Sequence, residues 1–147
     1  MNQPVKESFV TFERSHEKLV LAFLVLDNQD PNELEQLGIM RLFKGCFDSA
    51  WRCLRTFFYD QGYVHVEDSR DAVRLAFRLG MIGGALSGSS SRSGAVWMDM
   101  IKKREQVELA YDDHVRTNIL TALMDDYYDA FMDLKAFFHQ ETLLKDE

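Results

Sequence analysis

Arg104, Tyr111 and His114 lie close together in the stretch WMDMIKKREQVELAYDDH, residues 97–114. Their types suit phosphate chemistry. A guanidinium binds phosphate oxygens and stabilises developing negative charge. An imidazole titrates in the range that general acid–base work needs. His114 follows Tyr111 by three residues, which on a helix is one turn. Asp112 and Asp113 bring carboxylates suited to a helix N-terminus.

The other reactive side chains carry less. Cys46 and Cys53 are seven residues apart in one helical pattern, so their Cα atoms stand about 10 Å apart, too far for a disulfide. They read as buried free thiols, with no histidine at a metal-ligand spacing. The run Asp125-Asp126-Tyr127-Tyr128-Asp129 has the Asp-Asp-x-x-Asp form of magnesium-diphosphate sites. Such sites need a second acidic cluster and a larger bundle, so an acidic solvated face of Asp125, Asp129 and Asp133 is expected, and no metal centre. Ser89, Ser90 and Ser91 sit in a Gly/Ser-rich run, a poor platform for a nucleophile. His16 falls on an apolar stripe and is expected to be packed and hydrogen-bonded, and His65 to be a surface residue.

The elements that must position these groups are helical throughout. Phe9, Phe12, His16, Leu19, Phe23 and Leu26 recur at spacings of three and four, predicting a helix from about Pro4 to Asp27. After the turn at 27–33, Pro31 opens a second helix that ends before Gly62. Its stripe runs Phe43, Cys46, Phe47, Ala50, Trp51, Leu54, Phe57 and Phe58. That face is wide enough for a core and for a second subunit. An extended connector, 62–67, leads to a short helix capped by Asp68 or Ser69 and stopped at Gly80. On it Arg70, Arg74 and Arg78 fall on one face as a candidate basic strip. Residues 83–94 read as a flexible loop beside the site. Helices follow over about 95–110, with Val96, Trp97, Met100 and Ile101 inward, and from Asp112 to about Leu143.

The chain of 147 residues, 46% hydrophobic and 28% charged, therefore reads as one all-α domain over 1–147. The expected fold is an antiparallel four-helix bundle with a short extra helix. A net charge of −7 argues against general nucleic-acid binding. No apolar run is long enough for a bilayer, and the first residues lack a signal-peptide pattern, so a cytoplasmic location is expected.

Three blocks in order resemble one family. IMRLFKGCFDSAWRCLRTFFYDQG looks like its second helix, SRDAVRLAFRLGMI is similar to its "SPR…A…A…G.I" element, and WMDMIKKREQVELAYDDH aligns with its "W..ML..RN...H.YD" signature. The family is the nucleotidyltransferase substrate-binding proteins, the HepT-like branch of the HEPN helical bundles. The resemblance implies an Arg-x4-His-x-Tyr pattern lining a cleft between two protomers. In the toxin members arginine and histidine cleave RNA without metal, and the tyrosine accepts AMP from a small partner nucleotidyltransferase, which silences the toxin. Here Arg104 and Tyr111 keep their positions, Leu109 stands in place of the histidine, and Glu105 in place of the usual asparagine. Leucine transfers no proton. The resemblance thus implies a homodimeric partner of a minimal nucleotidyltransferase, presenting Tyr111, Asp112 and an Arg104-lined cleft to the enzyme or its nucleotide. No intrinsic cofactor is expected, and ATP and magnesium would belong to the partner. The alternative is a divergent toxin ribonuclease acting on RNA through Arg104, with His114 replacing the missing histidine.

Overall fold

Helix-end chemistry sets most of the boundaries. The computed structural model describes residues 2–82 and 93–145. Its helices are α1 (Gln3–Asn28), α2 (Glu33–Asp60), α3 (Ser69–Arg78), α4 (Ser93–Gln106), α5 (Asp113–Ala122) and α6 (Tyr128–Lys145). No strand occurs among the described residues. The expected loop at 83–94 lies largely outside the described residues, and its last two positions, Ser93 and Gly94, already belong to α4.

The second helix starts two residues later than Pro31 suggested. Asn32 is its cap: the Asn32 side chain accepts from the Glu35 amide at 2.8 Å, and the Glu35 carboxylate accepts from the Asn32 amide at 3.0 Å. This reciprocal box satisfies two amides that a helix start otherwise leaves unpaired. Asp68 caps α3 through the Asp71 amide at 3.0 Å. Gly62 and Gly80 take φ of 97° and 76°, the left-handed conformation that stops a helix at little cost only in glycine. At each, the next residue's amide reaches back to the helix, Tyr63 to the Phe58 carbonyl and Met81 to that of Ala76, both at 2.9 Å.

The long helices α1, α2, α4 and the α5–α6 rod make the four-helix bundle, and α3 is the short extra helix packed on α2 and α4. Aromatic rings fill the interior. Phe138 packs against Phe9 and Phe57 at 5.4 and 5.6 Å, and Trp97 stands edge-on to Phe131 at 5.6 Å. Burying each such ring is worth roughly 1.5–3 kcal/mol, which is ample to hold amphipathic helices together. Cys46 and Cys53 are free and buried. Desolvation pushes both thiols up, that of Cys53 to about 12, so neither is poised as a nucleophile. Trp51, expected within the stripe, is only half-buried.

Two features of the core differ from expectation. His16 is buried between Phe12 and Phe131 as expected, but among the described residues neither ring nitrogen has a hydrogen-bond partner. Desolvation, reinforced by the charge of Lys135 and opposed by Glu17, lowers its pKa to about 4, so the ring is neutral. The last helix is also not regular. Residues Leu123–Tyr127 form a π segment joining α5 to α6. The wider turn brings Tyr127 fully inside, stacked on Phe43 at 5.5 Å with its hydroxyl donating to Asp99. It also interrupts the acidic row. Asp125 and Asp129 are exposed, while Asp133 is half-buried, its carboxyl raised by desolvation and by Asp129.

Candidate functional site

Helix α4 tightens into a 3-10 turn at Val107–Leu109, and the chain then reverses into α5 through Ala110, Tyr111 and Asp112. The reversal is locally encoded. The Asp112 amide donates to the Leu109 carbonyl at 3.0 Å, and the Asp112 carboxylate accepts from the amides of His114 and Val115 at 2.9 and 3.1 Å. Asp112 is thereby the cap of α5. Tyr111, at the apex, is 73% exposed. Among the described residues no group hydrogen-bonds its hydroxyl. Leu109 is half exposed to solvent.

An arginine that sequence reasoning did not single out holds this turn. Arg116 is buried, and its guanidinium reaches three pieces of chain. Nη1 donates to the carbonyls of Ala110 at 2.8 Å and Tyr111 at 3.4 Å. Nε donates to the Gln36 side chain of α2 at 2.7 Å, and Nη2 to Asp113 at 2.5 Å. The signal was present: Arg116 sits between Val115 and Ile119, inside the apolar stripe, where a charge must find partners. Its partners could not be named from spacing, because one lies 80 residues away.

Arg104 is half-buried on the facing sides of α4 and α2. Its Nε and Nη2 donate to the two carboxylate oxygens of Asp48 at 2.9 and 3.0 Å, a fork-to-fork pair. That bond, together with nearby carboxylates, raises the guanidinium pKa above its ordinary value despite some desolvation. Two ion pairs flank it, Lys44 of α2 with Glu108 at 2.8 Å and Arg70 of α3 with Glu105 at 3.6 Å. A shallow groove of about 320 Å³ opens here, lined by Trp51, Asp48, Ser69 and Arg104 among others. Glu105 is thus the counter-ion of Arg70 and not a lone repulsive charge.

The remaining candidates spread out. His114 is exposed on the first turn of α5, its Nε2 3.4 Å from the Asn118 amide nitrogen. Among the described residues no hydrogen bond links His114, Tyr111 and Arg104. Of the basic strip, Arg70 is engaged with Glu105, whereas Arg74 and Arg78 are exposed beside a separate groove. His65 is exposed as expected. No cluster of three or more His, Cys, Asp or Glu among the described residues is placed to hold a metal ion.

A family model described as nucleotidyltransferase substrate binding protein like matches residues 7–140. The chain belongs to that family. The match takes in α2 to α5 whole and most of α1 and α6, including the α4–α5 turn and the Asp48–Arg104 seam. The family name associates such chains with a nucleotidyltransferase. No curated protein matches the chain. None of the described helices is long and apolar enough to cross a membrane.

Proposed function

We propose that the chain is the helical partner subunit of a small nucleotidyltransferase, acting as a homodimer that presents Tyr111 to the enzyme's active site. The carrying observation is the Tyr111 turn: a phenol 73% exposed on a backbone held from beneath by a buried arginine. An acceptor must enter another protein's active site, so it needs an exposed side chain and a fixed approach. In the transfer step the Tyr111 oxygen attacks the α-phosphorus of ATP held by the partner with magnesium. The new O–P bond replaces the α–β anhydride bond, pyrophosphate leaves, and the phenol proton goes to a base supplied by the partner. Arg104, with Nη1 outside its Asp48 fork, lines the approach for the nucleotide phosphates.

Support for a ribonuclease is thinner. Leu109 transfers no proton, His114 makes its polar contact with Asn118, and two Arg104 donors are engaged by Asp48. Mass spectrometry after incubation with the partner nucleotidyltransferase, ATP and magnesium is expected to show AMP on the wild type and none on Tyr111→Phe. If the partner neither binds nor modifies the chain, the proposal fails. Metal-independent RNA cleavage abolished by both Arg104→Ala and His114→Ala would establish the ribonuclease instead. Light scattering tests the homodimer.

A further inference from the structure

The groove between the 62–66 connector and α3 carries chemistry that the Tyr111 turn does not use. Its volume is about 640 Å³, within the roughly 300–1,000 Å³ of small-molecule sites. Arg74 and Arg78 line one wall, Tyr63 and His65 the other. The two arginines are one helical turn apart and exposed. Among the described residues neither has a hydrogen-bond or ion-pair partner, unlike Arg104, Arg116 and Arg70. The floor is apolar, made by buried Val66 and Leu75.

We propose that this groove binds a mononucleotide, its phosphate between Arg74 and Arg78 and its base against Tyr63. Three observations fix that class. The Tyr63 ring is 40% exposed yet held edge-on against Phe58 at 6.1 Å, so a flat ligand meets an ordered surface. The one carboxylate in the groove, Asp71, accepts from the Glu67 amide at 3.1 Å and so fastens the connector to α3. Two guanidiniums share the groove with that single carboxylate, a local excess that suits one phosphate group. The cationic strip also ends there. Towards the start of α3, Arg70 is paired with Glu105, and Asp68 and Glu67 follow, so a longer polyanion would run into negative charge.

The site is independent of the Tyr111 reading and shares no residue with the Arg104 groove. The test is titration calorimetry of the whole chain at low salt with AMP, inorganic phosphate and a ten-nucleotide oligouridylate. AMP is expected to bind saturably, and Arg74→Gln with Arg78→Gln to weaken it by about tenfold or more. Tyr63→Ala is expected to weaken AMP while leaving phosphate binding unchanged, which separates base stacking from charge. All three substitutions are at solvent-accessible side chains, and an unchanged circular dichroism melt confirms that the fold is kept. Absence of saturable AMP binding up to about 10 mM, or wild-type binding by the double variant, overturns the proposal. Tighter binding of the oligonucleotide than of AMP, lost in the double variant, overturns it in favour of an RNA surface. Loss of AMP binding on Arg104→Gln overturns it by moving the site to the α2–α4 seam.

Discussion

Two arginines bracket Tyr111 in sequence, and the structure uses them in opposite ways. Arg104 meets a carboxylate on the neighbouring helix and stays partly open to solvent. Arg116 is buried and divides its donors among two backbone carbonyls, the Gln36 side chain and the Asp113 carboxylate of its own helix. The first joins α4 to α2 at the surface, whereas the second ties the Ala110–Tyr111 turn to α5 and α2 from inside. The lesson is that the stretch 97–114, which carries the resemblance through Arg104 and Tyr111, stops short of Arg116, the side chain that holds the turn from inside.

The sharpest way to break this contrast is Arg116→Leu. It leaves the Ala110 carbonyl and Gln36 without their donor, and is expected to cost about 2–4 kcal/mol in urea unfolding. Arg116→Lys should recover little, since an ammonium cannot span three acceptors with fixed fork geometry. A variant as stable as wild type would show that the turn holds itself.

His16 gives the second comparison, a buried base with no hydrogen-bond partner among the described residues. Its folded pKa of about 4 lies below the ordinary 6.5. Between those values the unfolded chain takes up a proton that the folded chain refuses. Stability is therefore lost as pH falls from 6.5 towards 4, and the loss levels off below 4. His16→Leu is expected to flatten that part of the pH profile relative to wild type, read from urea midpoints at pH 7.5, 6 and 4.5. Parallel profiles would contradict the assignment.

Arg104 and Asp48 come next. A double-mutant cycle with Arg104→Ala and Asp48→Ala is expected to give a coupling of about 1 kcal/mol, smaller than the Arg116 effect because the pair is partly solvated. The smallest expected effect is that of Tyr111→Phe. Stability should stay within about 0.5 kcal/mol of wild type, because the hydroxyl bonds nothing in the described chain. A larger loss would mean that the phenol is structural, which would remove the main reason for calling it an acceptor.

Much of the scaffold was legible because its signals are local. Gly62 and Gly80 stop helices, and Asp68 and Asp112 start them, within four residues of their own partners. Apolar spacing placed Phe47, Leu54, Trp97 and Met100 inside. The start of α2 was misplaced because Pro31 competes with Asn32, and only the reciprocal Asn32–Glu35 bonds decide between them. The Asp48–Arg104 pair spans 56 residues, so no window of sequence contains it. Arg116 was legible as an anomaly in an apolar stripe, and its role was not. His16 misled in another way: a buried imidazole usually has a hydrogen-bond partner, and nothing local reveals that this one has none among the described residues.

The π segment has a consequence for how the chain can change in length. Each α-helical residue turns the chain by about 100°, so a residue added or removed normally swings everything after it to another face. The five residues Leu123–Tyr127 absorb one extra residue without doing so. Ile119 before the segment, Leu123 and Tyr127 at its two ends, and Phe131, Leu134 and Phe138 after it all face the core. Deleting exposed Met124 would let a plain α-helix run through with both halves in register. The same deletion at Met132, also exposed, would turn Phe138 towards solvent. One rod thus contains a place where its length is adjustable, next to a stretch where it is not.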